Sequence, residues 1–249
     1  YLAMTHRCFI TSKWFIHKDM KNMKILNICG HSFLGNLLKA APVVLDCGAN
    51  EGLFSHNIHQ KYNKSIIHGF EPDPRLYPEL PSIPNVEFHQ LAISGNNGNI
   101  NLFLGDTRNS STRFEEAPEQ NHVLVNAITL AQFCQDNFIE YIDLIKLDIE
   151  GTEIDVFHSF DDRFLARVAQ ITVEFHDFLN KDEIYLIENI IENMRKKGFT
   201  CIKFSQFDYS DVLMININLY PISLWKKFLI YFSKYFLGIL RIIRRLLYR

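Results

Sequence analysis

Five side chains able to move a proton close two apolar runs in the second half of the chain. Ile142-Asp143-Leu144-Ile145-Lys146-Leu147 ends at Asp148, with Glu150 and Glu153 directly after it, and Ile171-Thr172-Val173 ends at Glu174 and His176. Carboxylates and an imidazole at the ends of buried strands suit proton abstraction from a weak nucleophile such as a hydroxyl group. His176 is the side chain whose type titrates nearest neutrality. Asp148 serves equally well as a base or as the holder of the hydroxyl. Glu150 and Glu153 have a plainer explanation, because acids in the first turn of a helix meet its dipole favourably. Asp148, Glu174 and His176 together would also suit a divalent ion; a site without metal is the expectation.

A second constellation lies earlier, where Val43-Val44-Leu45 runs into Asp46-Cys47-Gly48-Ala49-Asn50-Glu51-Gly52. The apolar run reads as a strand buried on both faces, the habit of parallel strands. Phe54, Ile58 and Tyr62 at four-residue spacing then predict a helix. Strand, glycine loop and helix open a nucleotide-type crevice. The loop reads D-x-G-x-N-x-G rather than the phosphate-seating G-x-G-x-x-G. A carboxylate at its start repels phosphate but receives an ammonium, which S-adenosylmethionine carries. The next strand, Ser65 to Phe70, ends at Glu71, where a ribose diol finds its acceptor. After a third strand, Val86 to His89, Leu91 and Ala92 are expected over the adenine, with ordinary core as the alternative at both positions. The cofactor-binding candidates are therefore Asp46, Gly48, Asn50, Gly52, Glu71, Leu91 and Ala92.

Taken together, LDCGANEG, FEPDP, LAIS, ITL, IDLIKLDIEGTE and VEFH stand in the order found in the FkbM-type S-adenosylmethionine-dependent methyltransferases, which the chain resembles over roughly residues 41 to 218. ITLAQF departs from that family's usual acid after ITL. The resemblance implies a Rossmann-like class I methyltransferase fold and O-methylation of a hydroxyl, often on a sugar; it does not name the acceptor. Two other classes stay open on sequence alone. A nicotinamide-dependent oxidoreductase would share the fold, but Asp46 contradicts its phosphate loop. A non-catalytic membrane-associated protein would keep the sheet while losing Asp46, Glu71 and Asp148, all of which are present.

These residues must be positioned by an α/β sheet, mostly parallel, closed by an antiparallel pair formed by Phe199 to Phe204 and Val212 to Ile217. The 249 residues divide into an N-terminal extension with short helices (1–40), a methyltransferase-like domain (41–220) and a basic amphipathic helix (221–249). In the extension, Ser32 to Lys39 reads as a short helix at one edge of the sheet. No functional residue is expected there. Its Lys and Arg residues interrupt every run long enough for a secretory signal. Gly95-Asn96-Asn97-Gly98 signals a tight hairpin, and the polar stretch Gly105 to Gln120 a surface loop or a lid over the acceptor. Thr129 should cap one helix and Asn180 a longer one, Glu183 to Lys197, with Gly198 as its stop.

Five cysteines without paired spacing argue against a disulfide framework and a zinc motif, and for a reducing compartment. Seven basic residues and no acid fall in 222–249, so the rest of the chain is more acidic than the total of −2. An acidic body disfavours nucleic acid as a partner. In the tail, Lys226, Lys227, Lys234, Arg241, Arg244, Arg245 and Arg249 share one side of a helix, with Phe228, Leu229, Phe232, Phe236 and Ile239 opposite. That pattern predicts attachment to an anionic membrane surface, or else docking of the apolar side on the protein itself. The expectation is a cytoplasmic enzyme, peripheral at the inner face of a membrane, acting on a saccharide or lipid-linked saccharide.

Overall fold

A computed structural model describes residues 24–104, 110–111, 122–176, 184–205, 208–223, 227, 229–230 and 232. The described chain begins with a hairpin of β1 (Ile25–Ile28) and β2 (His31–Leu34), joined by Cys29 and Gly30. Both turn residues have positive φ, +49° and +92°, which matches the turn that right-twisted strands prefer. The expected helix over Ser32 to Lys39 is therefore corrected: most of it is a strand and a short 3-10 turn at Gly35–Leu37. Phe33, Leu34 and Leu38 are buried in the same core as the sheet. Apolar side chains at consecutive positions mislead a helical reading when the segment is covered on both sides.

β3 (Val43–Cys47), α1 (Leu53–Lys61), β4 (Ile66–Phe70) and β5 (Val86–His89) follow in order. A small four-stranded sheet comes next, from β6 (Ala92–Ile93), β7 (Gly98–Leu104), β8 (Ser110–Ser111) and β9 (His122–Ile128), in the order β6-β9-β7-β8. The Gly95 to Gly98 turn does not make a hairpin. β9 inserts between β6 and β7, and Asn97 instead accepts a 2.8 Å bond from the Thr129 amide. The chain continues through α2 (Leu130–Asp136), β10 (Leu144–Leu147), α3 (Glu153–His158), α4 (Asp162–Leu165), β11 (Gln170–Val173), α5 (Ile184–Lys196), β12 (Phe199–Lys203) and β13 (Val212–Asn216). Thr129 caps α2 as expected, its hydroxyl accepting from the Gln132 amide at 3.2 Å. Asn180 lies outside the described residues, as does nearly all of Gly105 to Gln120.

The main sheet has seven strands in the order β12-β13-β11-β10-β3-β4-β5. β13 runs antiparallel to both neighbours, and the other pairings are parallel. Strand order reverses between β3 and β10, the switch point at which open α/β sheets bind ligands. Both faces are covered. Leu45, Ile145 and Leu147 pack with Phe133, Phe157 and Ile190 on one side, while Val44, Leu144 and Leu213 pack with Phe33, Phe54 and Ile58 on the other. Each such side chain contributes roughly 1.5–3 kcal/mol of burial.

Candidate active site

The loop after β3 is held by its neighbours rather than by its own side chains. The Gly48 and Ala49 amides donate to the Phe70 carbonyl at 3.0 and 2.8 Å, which ties the loop to the end of β4. Gly48 has φ +81°, and a Cβ there would stand 1.8 Å from the carbonyl oxygen of Asp148. The ends of β3 and β10 touch at this point, so only glycine fits. Asn50 adopts φ +49°, a conformation that Asn tolerates, and its amide donates to Glu71 at 2.8 Å. The Asp73 amide donates to the other Glu71 oxygen, also at 2.8 Å. Burial pushes Glu71 up to about 7 against the pull of these two bonds. Gly48, Asn50, Glu71, Ala92 and Asp148 line one cleft, together with Phe70 and Ile93.

A second charged layer lies beneath the loop. Lys146 is 4% exposed, and its ammonium donates to the Gly48 carbonyl at 2.6 Å while standing 3.4 Å from Asp46 and 3.3 Å from Asp148. Burial opposes that charge, but Asp46 and Asp148 more than restore it, and the Lys146 pKa is raised. For Asp148 burial is likewise the largest influence and an upward one. Lys146, His31 and His176 together outweigh it and hold the carboxyl well below the usual range. Asp148 lines the first cleft and also a second one, shared with Cys29, His31, Phe54 and Lys146.

His31 arrives from the hairpin, 1% exposed, with its ring edge against Phe54. Its Nε2 is 3.4 Å from Asp148, an ion-pair distance, and neither ring nitrogen makes a hydrogen bond among the described residues. His176 contacts Glu153 through Nδ1 at 3.0 Å and Glu150 through Nε2 at 3.1 Å, with Asp148 3.8 Å away. Burial disfavours its charge, yet the bond to Glu153 and the three carboxylates prevail and carry it up to about 9. Glu153 also accepts from the Ile149 and Gly151 amides, bracing the turn in which Glu150 holds φ +54°. Burial raises Glu174. Two groups could each gather around a cation, His31-Asp148-Glu174 and Asp148-Glu150-His176, with ligand atoms within 4.8 Å.

Most of the expected site residues converge at the switch point, with the following adjustments. Asp46 is fully buried, accepts from Ser55 at 2.7 Å, and meets the protein's own Lys146 rather than facing the cleft. Gly52 begins α1 with φ +74° and sits against Pro81 and Phe88, lining a neighbouring cleft instead of the one with Glu71. Of the adenine pair, Ala92 lines the first cleft, while Leu91 packs on the main core. The carboxylates of Glu153, Glu150 and Asp148 around His176 favour its protonated form, which is the form that does not accept a proton. Asp148, Glu174 and His176 are divided between two groups, not gathered as one ligand set. Sequence reasoning missed His31 and Lys146. A lysine inside an otherwise apolar strand was the available sign of Lys146; nothing in the sequence distinguished His31.

A central strand order of this kind, with one reversed strand next to the far edge and a crevice at the switch point, defines a class I methyltransferase. The methyltransferase FkbM domain matches residues 46–201, and the chain belongs to that family. Among characterised relatives, methyltransferase 1 of Beauveria bassiana is 26% identical over 216 residues, covering 74% of this chain and 80% of its own. The 2-O-methyltransferase NoeI of Sinorhizobium fredii is 28% identical over 183 residues, 65% of this chain and 73% of the relative. The 31-O-demethyl-FK506 methyltransferase FkbM of Streptomyces tacrolimicus is 23% identical, covering 66% and 75%. A solved FkbM methyltransferase from Methylobacillus flagellatus aligns with a TM-score of 0.47 and 15% identity over 74% of this chain and 46% of that one.

The cofactor such enzymes use fits the first cleft. A buried carboxylate at the end of β4 is of the type that accepts a diol, and Phe70, Ala92 and Ile93 give the cleft an apolar wall.

Proposed function

We propose that this protein methylates a hydroxyl oxygen, with a saccharide or lipid-linked saccharide as the acceptor. S-adenosylmethionine, when bound, supplies the methyl group from its sulfonium. Glu71 accepts from the ribose hydroxyls, with Gly48, Asn50 and Ala92 around it. The observation that carries the reading is Asp148, a single carboxylate that lines both the cofactor cleft and the cleft of His31 and Lys146. Asp148 is pinned as an anion by its cations and accepts a hydrogen bond from a hydroxyl of the saccharide beside the reacting one, which fixes the acceptor's orientation and leaves the reacting O–H free to point at Glu174. So strong a pull leaves it a poor proton acceptor. Glu174, whose affinity for protons burial raises, takes the proton. His176 acts as a fixed cation that holds Glu150 and Glu153 in place.

Two relatives named as O-methyltransferases support a hydroxyl acceptor. The saccharide rests on the family resemblance and on a basic tail that would hold the enzyme at an anionic surface. The test is methyl transfer from labelled S-adenosylmethionine to a panel of glycans and glycolipids, with the methylated atom located by mass spectrometry. Asp148→Asn and Glu174→Gln should each lower turnover by roughly two to four orders of magnitude while cofactor affinity stays within a few-fold. Label appearing on nitrogen or carbon, or full turnover in both variants, overturns the reading.

A further inference from the structure

Another set of ligating side chains stands at the opposite edge of the main sheet, outside both clefts. His68 on β4 pairs in register with Glu87 on β5, and His89 follows two residues later, so all three project from one face. Nδ1 of His68 lies 3.1 Å from Nε2 of His89 and 3.8 Å from a Glu87 oxygen, and all three ligand atoms fall within 4.8 Å of one another. We propose that His68, Glu87 and His89 form a binding site for a divalent transition metal of the zinc type.

Tetrahedral ligation with metal–ligand bonds near 2.0–2.1 Å places neighbouring ligand atoms about 3.3 Å apart, between the two separations seen here. Two imidazoles and one carboxylate suit zinc, whereas magnesium and calcium favour oxygen donors. The rings are also fixed in direction. His68 and His89 stack at 5.3 Å, and Phe133 meets both edge-on at 5.3 and 4.9 Å. The competing explanation, a ring-to-ring hydrogen bond flanked by an ion pair of His68 with the exposed Glu87, predicts no zinc binding. A bound ion would clip the edge strand β5 to β4. Phe70 stacks on His89 and lines the cofactor cleft, so the clip would lie one ring behind that cleft.

The experiment titrates Zn2+ into metal-stripped full-length protein by calorimetry, and follows Co2+ by its visible absorption. One ion per chain with a micromolar or tighter Kd is expected, with a zinc-dependent rise in melting temperature. Glu87 is exposed, so Glu87→Gln should fold normally while weakening binding by about tenfold or more, as loss of one of three protein ligands requires. His89→Asn should abolish binding. Asp148→Asn, which removes the carboxylate shared by the two active-site groups, should leave it unchanged. Absence of binding to wild type, retention in both edge variants, or loss only in Asp148→Asn overturns the proposal.

Discussion

At Glu71, on the function proposed above, one carboxylate has two tasks: its oxygens accept the Asn50 and Asp73 amides and would also receive the ribose hydroxyls. Because burial brings its pKa to about 7, only the ionised form offers full acceptor strength to the ligand. Cofactor affinity measured by calorimetry should therefore fall about tenfold between pH 8 and pH 6, in step with the ionised fraction. Glu71→Gln should bind weakly at both values and lose that slope. His176 gives a pH dependence in stability. Its pKa rises from 6.5 to about 9 on folding, so the folded state holds the proton more tightly. That contribution is complete below pH 6.5 and is lost as pH rises through 9, a change of about 3 kcal/mol. The stability advantage of wild type over His176→Asn, read from denaturant curves, should shrink by that order across this window.

At the scale of elements, the contact of β3 with β10 decides whether a site exists. A methyl group at Gly48 would collide with backbone rather than a yielding side chain, and the φ of +81° adds strain. Gly48→Ala should abolish detectable cofactor binding by calorimetry and lower the melting temperature; unchanged affinity would show that the loop can shift. β3, β4, β10 and β11 were readable because each is a short apolar run that ends at an acid, and the antiparallel pair β12 and β13 because a polar turn divides two apolar runs. The hairpin was not. Its turn uses Cys29 in a conformation usually left to glycine or asparagine, and β2 is buried at all four positions, so no alternation survives. The charges were half legible: Asp46 was recognised as important, but its partner Lys146 lies 100 residues away, and only the register of β3 with β10 brings them together.

At the scale of the whole molecule, the beginning of the basic tail is part of the body. Lys227, Leu229, Ile230 and Phe232 are helical; Leu229 is 5% exposed, and Ile230 is fully buried with Phe33, Val44 and Leu213. The rest of the tail lies outside the described residues, and no helix among the described ones is long and apolar enough to cross a membrane. Ile230→Ala should cost about 2–5 kcal/mol in chemical denaturation. A change below 0.5 kcal/mol would return the tail's apolar side to the membrane proposal.

The N-terminal hairpin has a consequence in time. Its two strands are adjacent in the chain, yet the anchors that seat it are Gln170, bonded to Leu34, and Asp211, bonded to Ser32 across 179 residues. On a ribosome adding about 5–20 residues per second, the hairpin waits roughly 10 to 40 s for its last anchor. His31 thus meets Asp148 from a hairpin whose later anchor, Asp211, is synthesised 179 residues after the serine it holds.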